Sequence, residues 1–323
     1  MSRRYVQRPI NLLNSTTMET KELISLFTNI TVWKQGEKRA PHKPLLILYL
    51  LGRILQSKKN IVSFTEVDEN VGKLLNDFGP GNKTQALYPF WYLQNDGFWH
   101  LSIKNTQSKT IGPVPNKGFI RKEKVTGSFT KDVYSTLANN PIVTNKIIQN
   151  ILNSHFPTSI HEDILSEIGI TTYTAQLQVA ESEQTYTTTR KKRDPKFREK
   201  ILRAYEYKCA VCGFGVRMDN TSIGLEAAHI KWHQAGGPDK EHNGLALCAL
   251  HHKLFDRGAF TLENNKILIS ENANGDTGFT KWLMNFHGQP LRPPQRTTYK
   301  PLTEYTDWHY REIFRGEIRK RVL

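Results

Sequence analysis

The sequence predicts an α+β protein of two domains, and three observations support that prediction. Leu, Ile and Phe recur with helical spacing over residues 41–57 and 64–78. Residues 87–103 are rich in aromatic side chains and alternate around an Asn-Asp-Gly turn sequence, which is typical of a β-hairpin. The 323 residues are enough for two domains that each bury a core.

The first domain is predicted to cover residues 1–170 and to combine helices with this hairpin. Prolines suit the start of the second helix, and the sequence Gly79-Pro80-Gly81 ends the third. The spacing of apolar residues predicts helices over residues 17–28, 41–57, 64–78, 131–138 and 142–154.

A linker is predicted over residues 171–195, because this segment is Thr-rich, polar and poor in large aliphatic side chains. The second domain then covers residues 196–323 and begins with a helix over residues 197–205. Its tail contains an amphipathic helix around Trp308, which is expected to pack back onto the same domain.

The charge of the chain favours a polyanionic partner. Lys and Arg number 45 against 30 Asp and Glu, which gives a formal net charge of +15. Nucleic acid is the first candidate for such a partner. The basic run 190–193 has two open interpretations, a solvated charged segment or a contact to DNA phosphates.

Membrane insertion and export are not expected. The longest apolar run, residues 44–52, falls short of the roughly 20 residues of a membrane helix. The first residues carry charge without an apolar stretch behind it, so we expect no export signal and a cytoplasmic location.

The cysteines predict a zinc site. There are 3, an odd number, which in a reducing compartment argues against a disulfide framework. The pairs Cys209-x-x-Cys212 and Cys248-x-x-His251 supply the four ligands that tetrahedral zinc prefers. Four protein ligands close the coordination shell, so this Zn²⁺ would be structural. The alternative is a set of buried cysteines without a ligand.

A second metal site is predicted beside the first. His252 and Asp256 are four residues apart in an expected helix, so both side chains lie on one face and can hold one divalent ion. His229, at the end of an expected strand, would face them across the domain.

In chain order, His229, Asn243 and His252 resemble the pattern of the HNH, or ββα-metal, endonucleases. The resemblance implies a β-hairpin and a helix around one Mg²⁺ or Mn²⁺ ion, and metal-assisted phosphodiester hydrolysis. His229 would be the general base, the ion on His252 and Asp256 the Lewis acid, and Asn243 would orient the loop or the His229 imidazole.

This chain departs from the HNH pattern at one position. Many members carry an acidic or histidine metal ligand directly before the base, where this chain has Ala228. The ion would then have only two protein ligands, plus waters and phosphate. Glu226 could contribute, although strand alternation does not assign it.

Two segments of the first domain are candidates for DNA contact. Arg39, His42 and Lys43 lie at a predicted helix N-terminus, which favours a phosphate. Tyr88 and Pro89 precede the aromatic run and could wall a small apolar pocket.

These segments are similar to the sulfur-binding domain that is fused to HNH nucleases in phosphorothioate-dependent restriction enzymes, and the resemblance covers most of residues 20–150. It implies that Tyr88 and Pro89 line a pocket for a sulfur that replaces a phosphate oxygen. Arg39, His42 and Lys43 would hold the DNA backbone. Sulfur is less strongly hydrated than oxygen, so its burial costs less.

The sequence therefore predicts a modification-dependent, type IV restriction endonuclease that acts on phosphorothioated double-stranded DNA. A homodimer on DNA is expected because two strands must be cut. One alternative is an HNH endonuclease that recognises another DNA modification or an unmodified sequence. A second is a non-catalytic DNA-binding protein with a retained nuclease fold, against which the intact His229, Asn243, His252 and Asp256 count.

Overall fold

The computed structural model describes residues 18–32, 36–80, 85–103, 106–107, 113–170 and 194–320. The predicted linker, residues 171–195, lies outside these ranges except for its last two residues. Within the described ranges, no helix is both long enough and apolar enough to cross a membrane.

The N-terminal half, residues 18–170, is mainly helical and confirms the predicted helices to within a few residues at their ends. Helix α2 is apolar on nearly all sides because it runs through the core, where Leu45–Leu48 are fully buried. The Ser63 hydroxyl caps α3 by accepting from the Glu66 N–H. The helices are α1 (Thr20–Thr28), α2 (His42–Ser57), α3 (Phe64–Phe78), α4 (Leu87–Tyr92), α5 (Lys117–Lys122), α6 (Lys131–Asn139), α7 (Pro141–His155) and α8 (His161–Glu167).

A small antiparallel sheet, in the order β1-β4-β2-β3, covers one side of these helices. Gly127 of the fourth strand pairs with Leu101, and a Cβ at this position would lie 2.1 Å from the Trp99 ring. Only glycine lets the two strands close over that indole. The strands are β1 (Val62–Ser63), β2 (Trp99–Ile103), β3 (Thr106–Gln107) and β4 (Thr126–Phe129).

The hairpin predicted over residues 87–103 is wrong. The segment forms helix α4, a 3₁₀ turn over Leu93–Asp96 and then strand β2, which pairs with β4 and β3. Tyr88 and Tyr92 are the exposed side chains of α4, and their spacing of four residues is that of a helix and not of a strand. The predicted turn does exist, because Gly97 ends the 3₁₀ turn with φ of +83°.

The C-terminal half, residues 194–320, has the ββα arrangement that the HNH resemblance implies. Strands β7 and β8 are antiparallel, with Leu225 opposite Cys248 and His229 opposite Gly244, and helix α10 follows directly. The elements are α9 (Phe197–Ala204), β5 (Val216–Met218), β6 (Thr221–Ile223), β7 (Leu225–His229), β8 (Gly244–Cys248), α10 (Ala249–Asp256), β9 (Phe260–Glu263), β10 (Lys266–Ile269), α11 (Thr277–Trp282) and α12 (Thr303–Glu312).

The tail helix α12 packs against β9, as predicted, and also contacts the N-terminal half. The buried Trp308 lies 6.2 Å from Trp232, centroid to centroid, and its indole N–H donates to the Glu37 carbonyl at 3.0 Å. The tail helix therefore joins the two halves.

Candidate functional site

A cavity of about 370 Å³ opens beside the ββα unit; we call it the C-terminal cavity. His229, Glu226, His252 and Asp256 all line it, together with residues 157–159 of the N-terminal half. The structure thus brings together three of the predicted residues with Glu226, which the sequence left unassigned.

The His229 side chain is fixed at the end of strand β7 by two contacts. Its ring stacks on Phe197 with centroids 4.1 Å apart. Its Nε2 lies 2.8 Å from Asp239 Oδ1, and only 9% of the side chain is exposed. The imidazole therefore has a defined plane and a defined hydrogen-bond partner, both of which suit a general base.

Asn243 is fully buried and pins the loop that follows β7. Its Oδ1 accepts from the Lys231 N–H at 2.9 Å, and its Nδ2 donates to the Lys231 and Pro238 carbonyls, both at 3.0 Å. Of the two roles predicted for Asn243, these contacts favour orientation of the loop over direct contact with the His229 imidazole.

His252 lies between two carboxylates. Its Nε2 is 3.0 Å from Asp256 Oδ2, one helical turn along α10, and its Nδ1 is 2.5 Å from Glu226 Oε2 on β7. Two ligands at right angles on an octahedral ion, with bonds of about 2.1 Å, lie about 3.0 Å apart. The separation of His252 and Asp256 fits ligands of one divalent ion.

Besides His252, two hydrogen-bond donors hold Asp256. Its side chain is 1% exposed. The Trp232 indole N–H donates to Oδ1 at 2.8 Å, and the Ser159 hydroxyl of the N-terminal half donates to Oδ2. The N-terminal half therefore contacts a predicted metal ligand directly.

The charges of His252, Asp256 and Glu226 shift one another's pKa values. Burial alone would lower the pKa of His252, but the carboxylates of Asp256 and Glu226 raise it well above its usual value. Burial alone would raise the pKa of Asp256, but His252 and the two hydrogen-bond donors lower it. The C-terminal cavity is therefore a place where positive charge is stabilised.

The four predicted zinc ligands form one cluster, with their ligand atoms within 4.8 Å of one another. His251 Nδ1 lies 3.7 Å from Cys209 Sγ and 3.1 Å from Cys248 Sγ, and the sulfurs of Cys212 and Cys248 are 4.0 Å apart. Tetrahedral zinc with bonds of about 2.0–2.3 Å places its ligand atoms about 3.3–3.8 Å apart. These side chains fit a zinc ion.

Two further features favour a metal in this cluster. His251 Nε2 lies 2.8 Å from the Trp282 carbonyl, which fixes the tautomer that presents Nδ1 to the sulfurs. Hydrogen bonds from Cys212 and Cys248 lower the pKa of Cys209, and the same contact raises the pKa of Cys248, so the cluster favours a thiolate at Cys209. A thiolate among buried groups needs a nearby cation.

A second cavity, of about 760 Å³, lies in the N-terminal half; we call it the N-terminal cavity. Four predicted DNA-contacting residues line it, and Tyr88 is 51% exposed at its wall while Pro89 is buried. The lining residues are Thr31, Val32, Ala40, His42, Lys43, Tyr88, Pro89, Tyr92 and Asn95.

Asp96 organises one side of the N-terminal cavity. Its Oδ2 pairs with Lys43 Nζ at 2.6 Å, and its Oδ1 accepts from the Thr31 N–H at 2.7 Å. Burial, followed by the nearby Arg39 charge, lowers the pKa of His42, so its imidazole tends to be neutral. The cavity therefore carries little uncompensated charge on its lining.

Arg39 lies in the contact between the two halves and is not one of the residues that line the N-terminal cavity. Its backbone N–H donates to Glu312 Oε2 at 2.9 Å, and its guanidinium donates to the carbonyls of Glu312 and Phe78, both at 3.2 Å. The guanidinium also stacks on Trp232, 4.0 Å from the ring centroid. Arg39 would reach DNA only if this contact opened.

Comparison with known proteins gives two family matches. The model of the ScoMcrA-like, DNA sulfur-binding domain matches residues 20–173. The model of the HNH endonuclease domain matches residues 209–263. The chain joins a sulfur-binding domain to an HNH endonuclease domain.

Solved structures with some likeness to the chain include the sulfur-binding domain of SprMcrA complexed with phosphorothioated DNA. That alignment is 18% identical, covers 48% of this chain and 96% of that one, and has a TM-score of 0.40. The structure of the type IV phosphorothioation-dependent restriction endonuclease ScoMcrA aligns with 17% identity and a TM-score of 0.35. That alignment covers 44% of this chain and 27% of that one. The modification-dependent TagI restriction endonuclease is 23% identical over an alignment that covers 41% of this chain and 41% of that one, with a TM-score of 0.27. No curated protein sequence matches the chain.

Several residues around the HNH site were not identified from the sequence. Trp232 is buried in the core, and its indole also holds Asp256. Asp239, the partner of His229, carried one available signal, because it is one of two carboxylates in the glycine-containing segment between His229 and Asn243. Ser159 belongs to the sulfur-binding domain, so no local pattern links it to the nuclease site.

Proposed function

We propose that the protein is a modification-dependent restriction endonuclease that binds phosphorothioated double-stranded DNA and hydrolyses phosphodiester bonds nearby. The observation that carries this proposal is the C-terminal cavity of an HNH domain, where a fixed histidine, His229, faces the cluster of Glu226, His252 and Asp256. A base and a carboxylate–imidazole cluster in one cavity suit metal-assisted hydrolysis.

In this proposal, His229 takes the proton of the attacking water. His252 Nε2 and Asp256 would hold a single Mg²⁺ or Mn²⁺ ion, and Glu226, which contacts the other ring nitrogen of His252, would orient that imidazole. When bound, such an ion stabilises the charge that develops on the phosphate and the leaving oxygen. Zn²⁺ in the cluster of Cys209, Cys212, Cys248 and His251 is structural, and it fixes the start of α10, the helix that carries His252 and Asp256.

The N-terminal cavity is the proposed sulfur site. Tyr88 and Pro89 offer an apolar wall, and the only cation on the described lining, Lys43, is paired with Asp96. A poorly hydrated sulfur enters such a cavity at lower cost than a phosphate oxygen. His42 and Lys43 would hold the adjacent backbone.

We also propose a cytoplasmic location for the protein. A homodimer on DNA is proposed because each strand needs its own cut. Arg39 is retained as a phosphate contact only for a state in which the two halves have separated, since its guanidinium is now enclosed.

The test uses the purified full chain and plasmids with and without phosphorothioate, in Mg²⁺ or in Mn²⁺. We expect cleavage of the modified plasmid alone. Equal cleavage of both plasmids would refute the proposed recognition of phosphorothioate and favour an HNH nuclease that recognises another DNA modification or an unmodified sequence. Tight binding to the modified plasmid without cleavage in either ion would favour a non-catalytic DNA-binding protein.

Replacement of Tyr88 by alanine is expected to weaken binding to phosphorothioated DNA by about 10- to 100-fold, the effect of losing one apolar wall residue. Binding to unmodified DNA should change little, because phosphate contacts are retained. Titration of both duplexes by fluorescence anisotropy measures the ratio of the dissociation constants for unmodified and phosphorothioated DNA.

Tyr310→Ala is the matched control, because Tyr310 is similarly exposed, at 41%, but lies on the tail helix of the nuclease half. An unchanged preference for modified DNA in Tyr88→Ala would remove Tyr88 from the sulfur site.

A further inference from the structure

Asp239 lies behind the proposed general base and accepts hydrogen bonds on both of its carboxylate oxygens. Oδ1 is 2.8 Å from His229 Nε2, and Oδ2 accepts from the Asp194 N–H at 2.7 Å. The Asp239 side chain is 13% exposed. Two fixed partners leave this carboxylate little rotational freedom.

The loop that carries Asp239 is itself held in place. Asn243 donates to the Pro238 carbonyl at 3.0 Å, and the Gly237 N–H donates to the Trp232 carbonyl at 3.0 Å. A Cβ at Gly237 would lie 1.8 Å from the Lys231 carbonyl oxygen, so the loop passes too close to the chain for any other residue. The Asn243 of the HNH pattern therefore acts on Asp239 through this loop.

We propose that Asp239 is a positioning residue for the nuclease reaction: it keeps the proton of neutral His229 on Nε2, so that Nδ1 carries the lone pair that accepts the proton of water. This inference rests on the proposed role of His229 as the base. A histidine whose one nitrogen donates to a carboxylate has its tautomer and ring orientation fixed, and the imidazolium that forms is stabilised by the same charge.

The surroundings keep Asp239 ionised. Burial opposes its charge, but the Asp194 N–H and the His229 ring outweigh burial, so the pKa of Asp239 lies below its usual value. His233 Nε2 is 3.9 Å from Oδ2, and Lys200 pairs with Asp194 at 2.7 Å. The Lys200 ammonium and the Asp239 carboxylate attract each other, because the Asp239 charge contributes to the raised pKa of Lys200.

The test is Asp239→Asn in the full chain, assayed on the phosphorothioated plasmid. The amide is isosteric and can still accept from Asp194, but its NH₂ group facing His229 would place the imidazole proton on Nδ1. We expect kcat to fall about 100-fold or more with KM nearly unchanged, as for other partners that orient a catalytic histidine.

The pH profile separates positioning from a purely structural effect. Loss of the negative charge lowers the pKa of the His229 imidazole, so the acidic limb of the rate profile should move to lower pH. Asp239→Glu keeps the charge and is expected to recover part of the rate. Rates are normalised to folded protein, measured by zinc content and unfolding temperature.

Asp219→Asn is the control, since Asp219 is exposed at a turn with φ of +50°, which asparagine also adopts readily. A rate loss in Asp239→Asn without movement of the acidic limb would overturn the positioning role, and so would a wild-type rate. If His229→Ala is inactive in the same assay, either of these two results refutes the positioning role of Asp239 and leaves the role of His229 as the base in place. If His229→Ala remains active, the assignment of the base is itself wrong.

Discussion

Replacement of His229 by alanine is expected to reduce cleavage of phosphorothioated DNA by about 10²- to 10⁴-fold, the usual contribution of a positioned general base. Binding should be retained, because the N-terminal cavity lies in the other half of the molecule. The reason is local: the imidazole is enclosed between Phe197 and Asp239, and alanine removes the proposed base from this position. Single-turnover cleavage and a binding titration on the same duplex measure the two effects.

His242→Ala provides the comparison for this variant. His242 stacks on Tyr305 with centroids 5.6 Å apart and lies two residues before the strand that pairs with β7, so it is close to His229 in sequence but has a packing role. It should cleave at nearly the normal rate. Normal cleavage by His229→Ala, with full zinc content, would show that another group activates the water.

The helices of the N-terminal half were predictable because their signal is local. The buried side chains of α2 and α3 are the apolar residues of each helix, so the spacing of apolar residues in the sequence indicates both the helix and its buried positions. The prediction for residues 87–103 was wrong because aromatic side chains occupy both the buried and the exposed positions of α4, so its helical period is not visible as a polar face.

The candidate site was predictable where one short segment contains all the ligands. His252 and Asp256 share a helical face, and the Cys-x-x-Cys and Cys-x-x-His pairs each occupy one turn. Glu226 was not assignable, because Glu226 and His229 both reach the C-terminal cavity although they are three residues apart on a strand. Strict alternation places such residues on opposite faces.

Contacts between distant segments were beyond the sequence. Arg39 has the composition of a phosphate contact, yet the structure encloses it against Trp232 and Glu312, which are about 190 and 270 residues away. Ser159 reaches Asp256 in the same way. Such contacts depend on how the two halves pack, and no local pattern of charge or hydrophobicity encodes that packing.

The adjacent residues His251 and His252 are expected to give opposite phenotypes when each is changed to alanine. His251→Ala removes one of four zinc ligands, and structural zinc contributes on the order of 10 kcal/mol to folding in small zinc domains. We expect this variant to lose zinc, to unfold in its C-terminal half and to stop cleaving. His252→Ala should keep stoichiometric zinc and a folded C-terminal half, with a lower unfolding temperature because the buried Asp256 loses its partner, but it should lose cleavage because the second ion loses its imidazole ligand.

The two variants differ because neighbouring positions on α10 point in different directions. His251 is fully buried against Cys209 and Cys248, whereas His252 turns toward Glu226 and the C-terminal cavity. Zinc content by mass spectrometry, thermal unfolding and plasmid cleavage measure the three properties on the same preparations. Loss of zinc from His252→Ala, or a folded and active His251→Ala, would mean that the two metal sites share ligands, and the division into a structural and a catalytic ion would be wrong.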